Sequence, residues 1–424
     1  MNGLQSLGLH ERILVVGFNC RPLARSASQF ASEIGAIDYF GDDDLTKYCT
    51  WAFSALKQSP GQFSIRPKRP LSEIFTNLAF IMTEEVGLFD SVVIGGGFDD
   101  KIVVWKELEK CGKHLAATPY ERIPACRDRL NLYKEAEKLG FPSPLSIITD
   151  SSEEALDFFK QMNTPIVVKS SASGGGTNIF LCSTEQEVFI ESSQLLESTE
   201  KPIYCQEFIE GVPASASLLV TKDSARVISH NVQIIGDKIS RSPSRFAYCG
   251  NIVPGQFSES FKSEYDSKFE SLCRKFRLLG NVGIDFVVHD GIPVIMEINP
   301  RPQGTLEPWE YAFGENLLHL HISATQGNLD ADDLLRLPSE PITHCVKKIL
   351  FAGDNPILVP EFSKEIRDRP PPNVWLGPGE PLCTILEFGK YPDEILLRAN
   401  QQTEIIFTEV EAFTDGKSPP MIIQ

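Results

Sequence analysis

Between Asp285 and Arg301 the chain writes an apolar segment, an Asp290-Gly291 turn and a second apolar segment, with a carboxylate on each arm. A two-residue Asp-Gly connection between alternating segments is a strong hairpin signal, because its backbone twist matches that of paired strands. Successive strand side chains point to opposite faces, so Asp285 and Glu297 share a face when their registers match. Asn299 lies two residues further along that face, and the three converge as hard oxygen ligands of the kind Mg²⁺ prefers. Arg301 then stands beyond the metal, ready to hold an anion. A hairpin with an acid on each arm is also compatible with a solvated face. The returning strand favours a site, because Glu297, Asn299 and Arg301 alternate with apolar residues, and a buried strand does not carry polar groups without partners.

The rest of the chain sets bounds. Its 424 residues are enough for two to four packed units, and 42% hydrophobic with 23% charged residues is ordinary for a globular protein. Forty Lys and Arg against 57 Asp and Glu leave a net charge of -17, a poor match for a binder of nucleic-acid backbones. A nucleotide pocket needs only a few local cations and is not excluded. No apolar run reaches bilayer-spanning length, and Met1 to Glu11 shows no signal pattern, so no membrane partner is expected. Ten cysteines occur without a C-x-x-C pair, which reads as reduced thiols in a cytoplasm. His319 and His321 alternate within a helical-looking segment, and no metal role is expected of them. The sequence does not set the oligomeric state; a homodimer is compatible with it.

The leading segment alternates strands and helices: Ile13 to Gly17, a helix from about Ala24 to Ile34, a strand from Ala36 to Phe40, and a further strand from Ser91 to Ile94 closed by Gly95-Gly96-Gly97. That pattern implies a parallel sheet covered on both faces. The first turn lacks G-x-G-x-x-G, so a dinucleotide site is not supported. Asp42-Asp43-Asp44 reads as a solvated turn. Arg21 and Arg25, at the carboxyl end of the first strand, are candidates to hold an anionic substrate. A helix from about Arg127 to Leu139 follows and ends at Gly140-Phe141-Pro142. Then comes a compact block with a helix near Ser152 to Gln161, strands Pro165 to Ser170 and Asn178 to Cys182, and a helix from Thr184 to Leu196. A mostly β region runs from Ile203 to the hairpin, and a closing section with short strands follows from about Asp330.

Two stretches carry phosphate and nucleotide signals. Strand Pro165 to Lys169 ends in a lysine, followed by Ser173-Gly174-Gly175-Gly176-Thr177. Consecutive glycines let backbone N–H groups turn around an anion, and the lysine adds a point charge. The loop is not a P-loop, and a plain hairpin loop beside a surface lysine is equally consistent. Further on, Gln206-Glu207-Phe208-Ile209-Glu210-Gly211 offers backbone groups to an adenine edge, Glu207 to its exocyclic amine and Glu210 to a ribose.

The order of these motifs (Arg129, Lys169, the glycine loop, Gln206 to Gly211, Asp285, then Glu297 to Arg301) resembles the ATP-grasp superfamily. Within it the chain looks most like the biotin-carboxylase-like branch of ATP-dependent carboligases. The resemblance implies an α/β fold, α+β in the ATP-grasp part. It implies a Rossmann-like domain over 1–125, an ATP-grasp domain over 126–325 with a lid at about 144–201, and a β-rich closing domain over 326–424. It also implies ATP with Mg²⁺, or alternatively Mn²⁺. Arg129, Lys169 and Gly174 to Gly176 would contact phosphates; Glu207, Phe208, Ile209 and Glu210 would hold adenosine; Asp285, Glu297 and Asn299 would bind metal; Arg301, with Lys169, would serve phosphoryl transfer. Arg129 stands where lysine is common, and Asp285 where glutamate is. Three functions remain open: a carboxylate–amine ligase working through an acyl phosphate, a carboxylase using bicarbonate through carboxyphosphate, and a non-catalytic ATP sensor. The first is favoured, with small-molecule acid and amine substrates.

Overall fold

The computed structural model describes residues 11–170, 175–199, 202–363 and 365–420. Parallel strands β1 (Arg12–Gly17), β2 (Glu33–Asp38), β3 (Trp51–Ser54), β4 (Phe89–Ile94) and β5 (Gly112–Ala116) form the leading sheet in the order β3-β2-β1-β4-β5. Its inner strands are almost wholly apolar because both faces are covered. Leu14, Val16, Ile37 and Val92 pack against Phe75, Met82 and Trp105 on one face. Ile13, Val15, Ala36 and Val93 pack on the other face against Leu23, Trp309 and Leu318. That second cover includes helices Leu306–Phe313 and Leu317–Gln326, so distant chain closes the leading sheet. Strand order reverses between β1 and β4, where open α/β sheets leave a crevice beyond their carboxyl ends.

Boundaries differ from the sequence reading near the start. The first helix spans Arg21–Ala27, not Ala24 to Ile34, because Pro22 at its first turn starts it early. β2 then begins at Glu33 and ends at Asp38 rather than running to Phe40. The helix expected from Arg127 is Arg129–Lys138, capped by Asp128 accepting from the amides of Leu130 and Asn131.

Strands β6 (Ser146–Thr149), β7 (Ile166–Ser170), β8 (Ile179–Cys182) and β9 (Ile203–Glu207) make an antiparallel sheet in the order β6-β9-β7-β8. Ile166, Val168, Ile203 and Cys205 face Ala155, Phe158, Val188 and Leu195 of helices Ser152–Met162 and Glu185–Thr199. Alternation turns Lys169 and Gln206 the other way.

The third sheet is built from β10 (Val212–Val220), β11 (Ala225–Ile235), β12 (Tyr248–Val253), β13 (Gly280–His289), β14 (Ile292–Asn299) and β15 (His344–Phe351). After the two-stranded ribbon β16 (Ile357–Leu358) and β17 (Trp375–Leu376), β18 (Pro381–Gly389) completes it, in the order β14-β13-β10-β11-β12-β15-β18. One face of its first strands, including Ala214, Ala216, Ile284 and Phe286, packs on Leu132, Phe261 and Phe269. The opposite face carries Ser215, Asn231 and Asp285. The closing stretch, read as β-rich, gives β15 and β18 to this sheet and ends in the 23-residue helix Pro392–Thr414. Among the described residues, no helix is long and apolar enough to cross a membrane.

Candidate active site

A cleft of about 680 Å³ opens between the four-stranded sheet and the polar face of the seven-stranded one. Its floor is the hairpin. Asp285 pairs directly with Glu297, and the register slips between Asp285 and Phe286, a bulge that keeps both acids on the cleft side. Asn299 Nδ2 donates to Asp285 Oδ2 at 2.9 Å, and Gln233 Nε2 donates to Asp285 Oδ1 at 3.0 Å. Arg129 donates to Glu297 Oε2 at 3.3 Å, with Arg127 at 3.6 Å.

The two acids are driven apart in acidity. For Asp285, burial and then the charge of Glu297 raise the carboxyl to about 7, against the Asn299 hydrogen bond and Arg301. For Glu297, burial pushes upward too, but Arg127, Arg129 and Lys169 outweigh it and hold the group at about 2. Adjacent carboxylates crowded in this way are what a divalent cation would neutralise. The oxygen set of Asp285, Glu297 and Asn299 therefore fits Mg²⁺, and Mn²⁺ takes the same donors.

Lys169 forms the wall above. It is 7% exposed, and its ammonium donates to Gln206 Oε1 at 2.8 Å. Gln206 Nε2 in turn donates to Tyr133 Oη at 2.6 Å and to Ser146 Oγ at 3.0 Å, and Tyr133 donates to the Met296 carbonyl at 3.2 Å. This relay fixes the lysine relative to the floor. Burial, then Arg129 and Arg127, push Lys169 down to about 7 while Glu297 opposes them. A cation held against its own solvation preference is poised for a polyanion.

At the glycine loop, the Gly175 carbonyl accepts from Tyr248 N at 3.3 Å. Gly176 has φ +83°, and a Cβ there would lie 1.9 Å from the Phe246 carbonyl oxygen, so only glycine lets the loop reach the β11–β12 connection. Gly174 lies outside the described residues. Glu207, Phe208, Ile209 and Glu210 follow β9 along the cleft. Glu207 N donates to the Leu145 carbonyl at 2.8 Å, and Leu145 N donates to Glu207 Oε2 at 3.2 Å. One carboxylate oxygen of Glu207 is thus engaged with β6. The Glu210 carbonyl hydrogen-bonds the His289 ring at 2.7 Å, and Phe208 lies under the Arg245 guanidinium at 5.4 Å.

Arg301 marks the opposite end. Its guanidinium grips Asp99 at 2.7 and 3.0 Å, and a Cβ on Gly96 would lie 3.4 Å from its Cζ. It therefore stands where the leading sheet reverses strand order. Every expected site residue apart from Gly174 lines this one cleft.

Sequence reading missed several neighbours. Asp99 follows Gly95-Gly96-Gly97 by two residues, and Arg127 precedes Arg129 by two, so a signal existed in both. Gln233 and Tyr133 gave none, and Gln206 was read only as part of the adenine motif and not as the partner of Lys169. The reading of Arg21 and Arg25 as anion holders is overturned. Arg21 is 1% exposed, bonds both oxygens of Glu307 at 2.9 and 2.5 Å and reaches Asp368 at 2.5 Å. Arg25 pairs with Glu310 at 3.1 Å. The supposed solvated aspartates are corrected as well. Asp42 and Asp44 are buried, Asp44 accepts from the amides of Asp368 and Arg369, and only Asp43 is exposed. His321 is structural: Nδ1 accepts from Asn281 N at 2.8 Å and Nε2 faces the Ala116 carbonyl at 2.8 Å.

Residues 126–305 match the sequence profile of the ATP-grasp domain. The chain carries an ATP-grasp domain. An uncharacterized protein of Methanocaldococcus jannaschii is 26% identical over 395 residues, 90% of each chain. The carbamoyl phosphate synthase large chain of Saccharolobus islandicus is 26% identical over 282 residues, covering 63% of this chain but 25% of that protein. This chain therefore spans about a quarter of that relative's length. Among solved structures, biotin carboxylase from Campylobacter jejuni, in complex with an ATP analogue, superposes with a TM-score of 0.71 at 12% identity over 96% of this chain and 92% of that one. L-amino acid ligase from Bacillus licheniformis gives 0.69 at 13% identity over 94% and 98%. At 12 and 13% identity the solved structures show a likeness of fold, and the relatives and neighbours with a stated activity are a synthase, a carboxylase and a ligase.

Proposed function

We propose that the protein is an ATP- and Mg²⁺-dependent ligase that joins a carboxylate to an amine through an acyl phosphate. The observation that supports this most directly is Asp285 facing Glu297 in register beneath Lys169, with Arg301 at the other end of the same cleft. Phosphoryl transfer needs positioning and neutralisation of charge more than covalent help from the protein. Arg129, Lys169 and the amides of Gly175 and Gly176 take the triphosphate. Glu207 to Glu210 take the adenosine. Asp285, Glu297 and Asn299 would hold Mg²⁺, which would supply charge neutralisation to the triphosphate.

The acid's carboxylate oxygen attacks the γ-phosphorus, the bond to the bridging oxygen breaks, and ADP leaves. Arg301, fixed by Asp99, offsets charge on the transferred group. The amine nitrogen then attacks the acyl carbon, phosphate departs with the C–O electron pair, and the amine loses a proton. An acyl phosphate hydrolyses in water, so the segment of about 144–201, which carries β6 to β8, serves as a lid. The division into 1–125, 126–325 and 326–424 belongs to this reading, as does a cytoplasmic setting, which ten free cysteines favour. Small-molecule acid and amine are the partners.

The test is phosphate release from ATP and Mg²⁺ with panels of acids, each with and without amines. Release that needs both supports the ligase. Release that needs bicarbonate instead makes the protein a carboxylase, and tight ATP binding without release makes it a sensor.

A further inference from the structure

Two adjacent buried lysines on β15 are treated differently. Lys348, 1% exposed, faces away from the cleft and is satisfied by Asp237 at 2.8 Å and Asn400 at 2.6 Å. Lys347, 4% exposed, has one partner, the Gly304 carbonyl at 3.2 Å, for an ammonium with three donors. Among the described residues no carboxylate lies within ion-pair distance of it.

Its place in the sheet sets where it can act. Ser215 pairs with Asp285 and Asn231, while Gln233 pairs with Asn251 and Asn251 with Lys347. Asn231 and Gln233 are two apart on β11 and share a face, so Lys347 belongs to the same polar face as the metal pair. Gly304, which it touches, lines the cleft beside Gln303 and Asn251. A second donor stands at that end: Gln303 Nε2 is buried without a partner. Gly304 lies three positions after Arg301, a reach of at most about 11 Å. The nearest acids, Glu307 and Asp368, both bond Arg21 and lie beyond ion-pair distance of Lys347, although Asp368 Oδ2 keeps no hydrogen-bond partner.

We propose that Lys347 and Gln303 form a subsite for an anionic group on the acid substrate, remote from the carboxylate that is activated. The substrate class is then a di-anionic acid whose second anion is a carboxylate or a phosphate. This rests on the acid-activating reading given above. A lysine retained here only to neutralise the Glu307–Asp368 cluster would be structural.

Titration calorimetry with succinate, inorganic phosphate and acetate, on the intact protein preloaded with ADP and Mg²⁺, separates the two. The wild type is expected to bind succinate or phosphate and not acetate. Lys347→Met should weaken that binding at least about tenfold, the scale of one hydrogen bond to a charged group, with ADP affinity unchanged. Lys347→Arg should restore part of it, and Gln303→Leu should weaken it by a smaller factor. Succinate alone identifies a dicarboxylic acid, and phosphate alone a phosphorylated one. Equal anion affinity in wild type and both variants, or no anion binding at all, overturns the subsite. Should Lys347→Met fail to fold, the role is structural unless Gln303→Leu alone weakens the anion. ADP failing to bind any form would instead sink the nucleotide reading.

Discussion

Nucleotide binding should take up a proton, and the amount is set by Lys169. Its ammonium is held near 7 by burial together with Arg129 and Arg127. At pH 7 about half of the free sites are then neutral, and at pH 8 about nine in ten. Phosphate oxygens beside the amine restore its ordinary basicity, so binding draws about 0.1, 0.5 and 0.9 proton at pH 6, 7 and 8. The sign follows directly: neutral lysine must be charged to bind, so affinity falls as pH rises. Between pH 7 and 8 the loss is about fivefold. The assay is calorimetry of ADP in paired buffers of different ionisation enthalpy, with chelator present. Excluding divalent ions matters because Asp285, held near 7, would release a proton to an arriving cation and offset the signal. Lys169→Met subtracts the nucleotide's own titration and should itself weaken ADP by about 10- to 100-fold. A proton uptake identical in wild type and Lys169→Met at all three pH values would refute the assignment of Lys169 to the phosphates.

Glu297→Gln should abolish turnover while leaving the circular dichroism spectrum unchanged; wild-type phosphate release in that variant would remove Glu297 from the metal site. Arg21→Met should cost about 3–5 kcal/mol in urea unfolding, because it strands the buried Glu307 and Asp368. Unchanged stability with lost acid binding would restore Arg21 to an anion site. His321, depressed to about 4 by burial, stays neutral in the folded protein after the unfolded imidazole has charged. Stability should therefore fall by up to about 3 kcal/mol as pH drops from 6.5 to 4. The same acid slope in His321→Gln would show that other groups set it.

The features legible in the sequence were those whose partners lie close along the chain. The Asp-Gly turn announces the hairpin, but its register alone would set Asp285 opposite Met296; the bulge between Asp285 and Phe286, which spacing does not show, brings Glu297 opposite Asp285. Lys169 and the glycines of β7–β8 were legible through the same closeness along the chain. What stayed hidden was pairing at long range. Arg21 and Glu307 lie 286 positions apart, and nothing near either residue announces the other. Charge is visible in a sequence while the state of that charge is not: Arg21 looked available and is locked, whereas Arg301 looked free and is clamped by Asp99. The same limit explains Lys347 and Lys348, identical and adjacent in sequence. Period-two alternation sends one to Asp237 behind the sheet and leaves the other, short of acceptors, on the face it shares with the carboxylate pair. Because a strand strictly alternates, exchanging which of the two lysines lies on the cleft face of the sheet would require the whole of β15 to slip by one residue. That slip would bury Lys348 among the cleft groups and strand Asp237, so the register that satisfies one lysine is what leaves the other for a ligand.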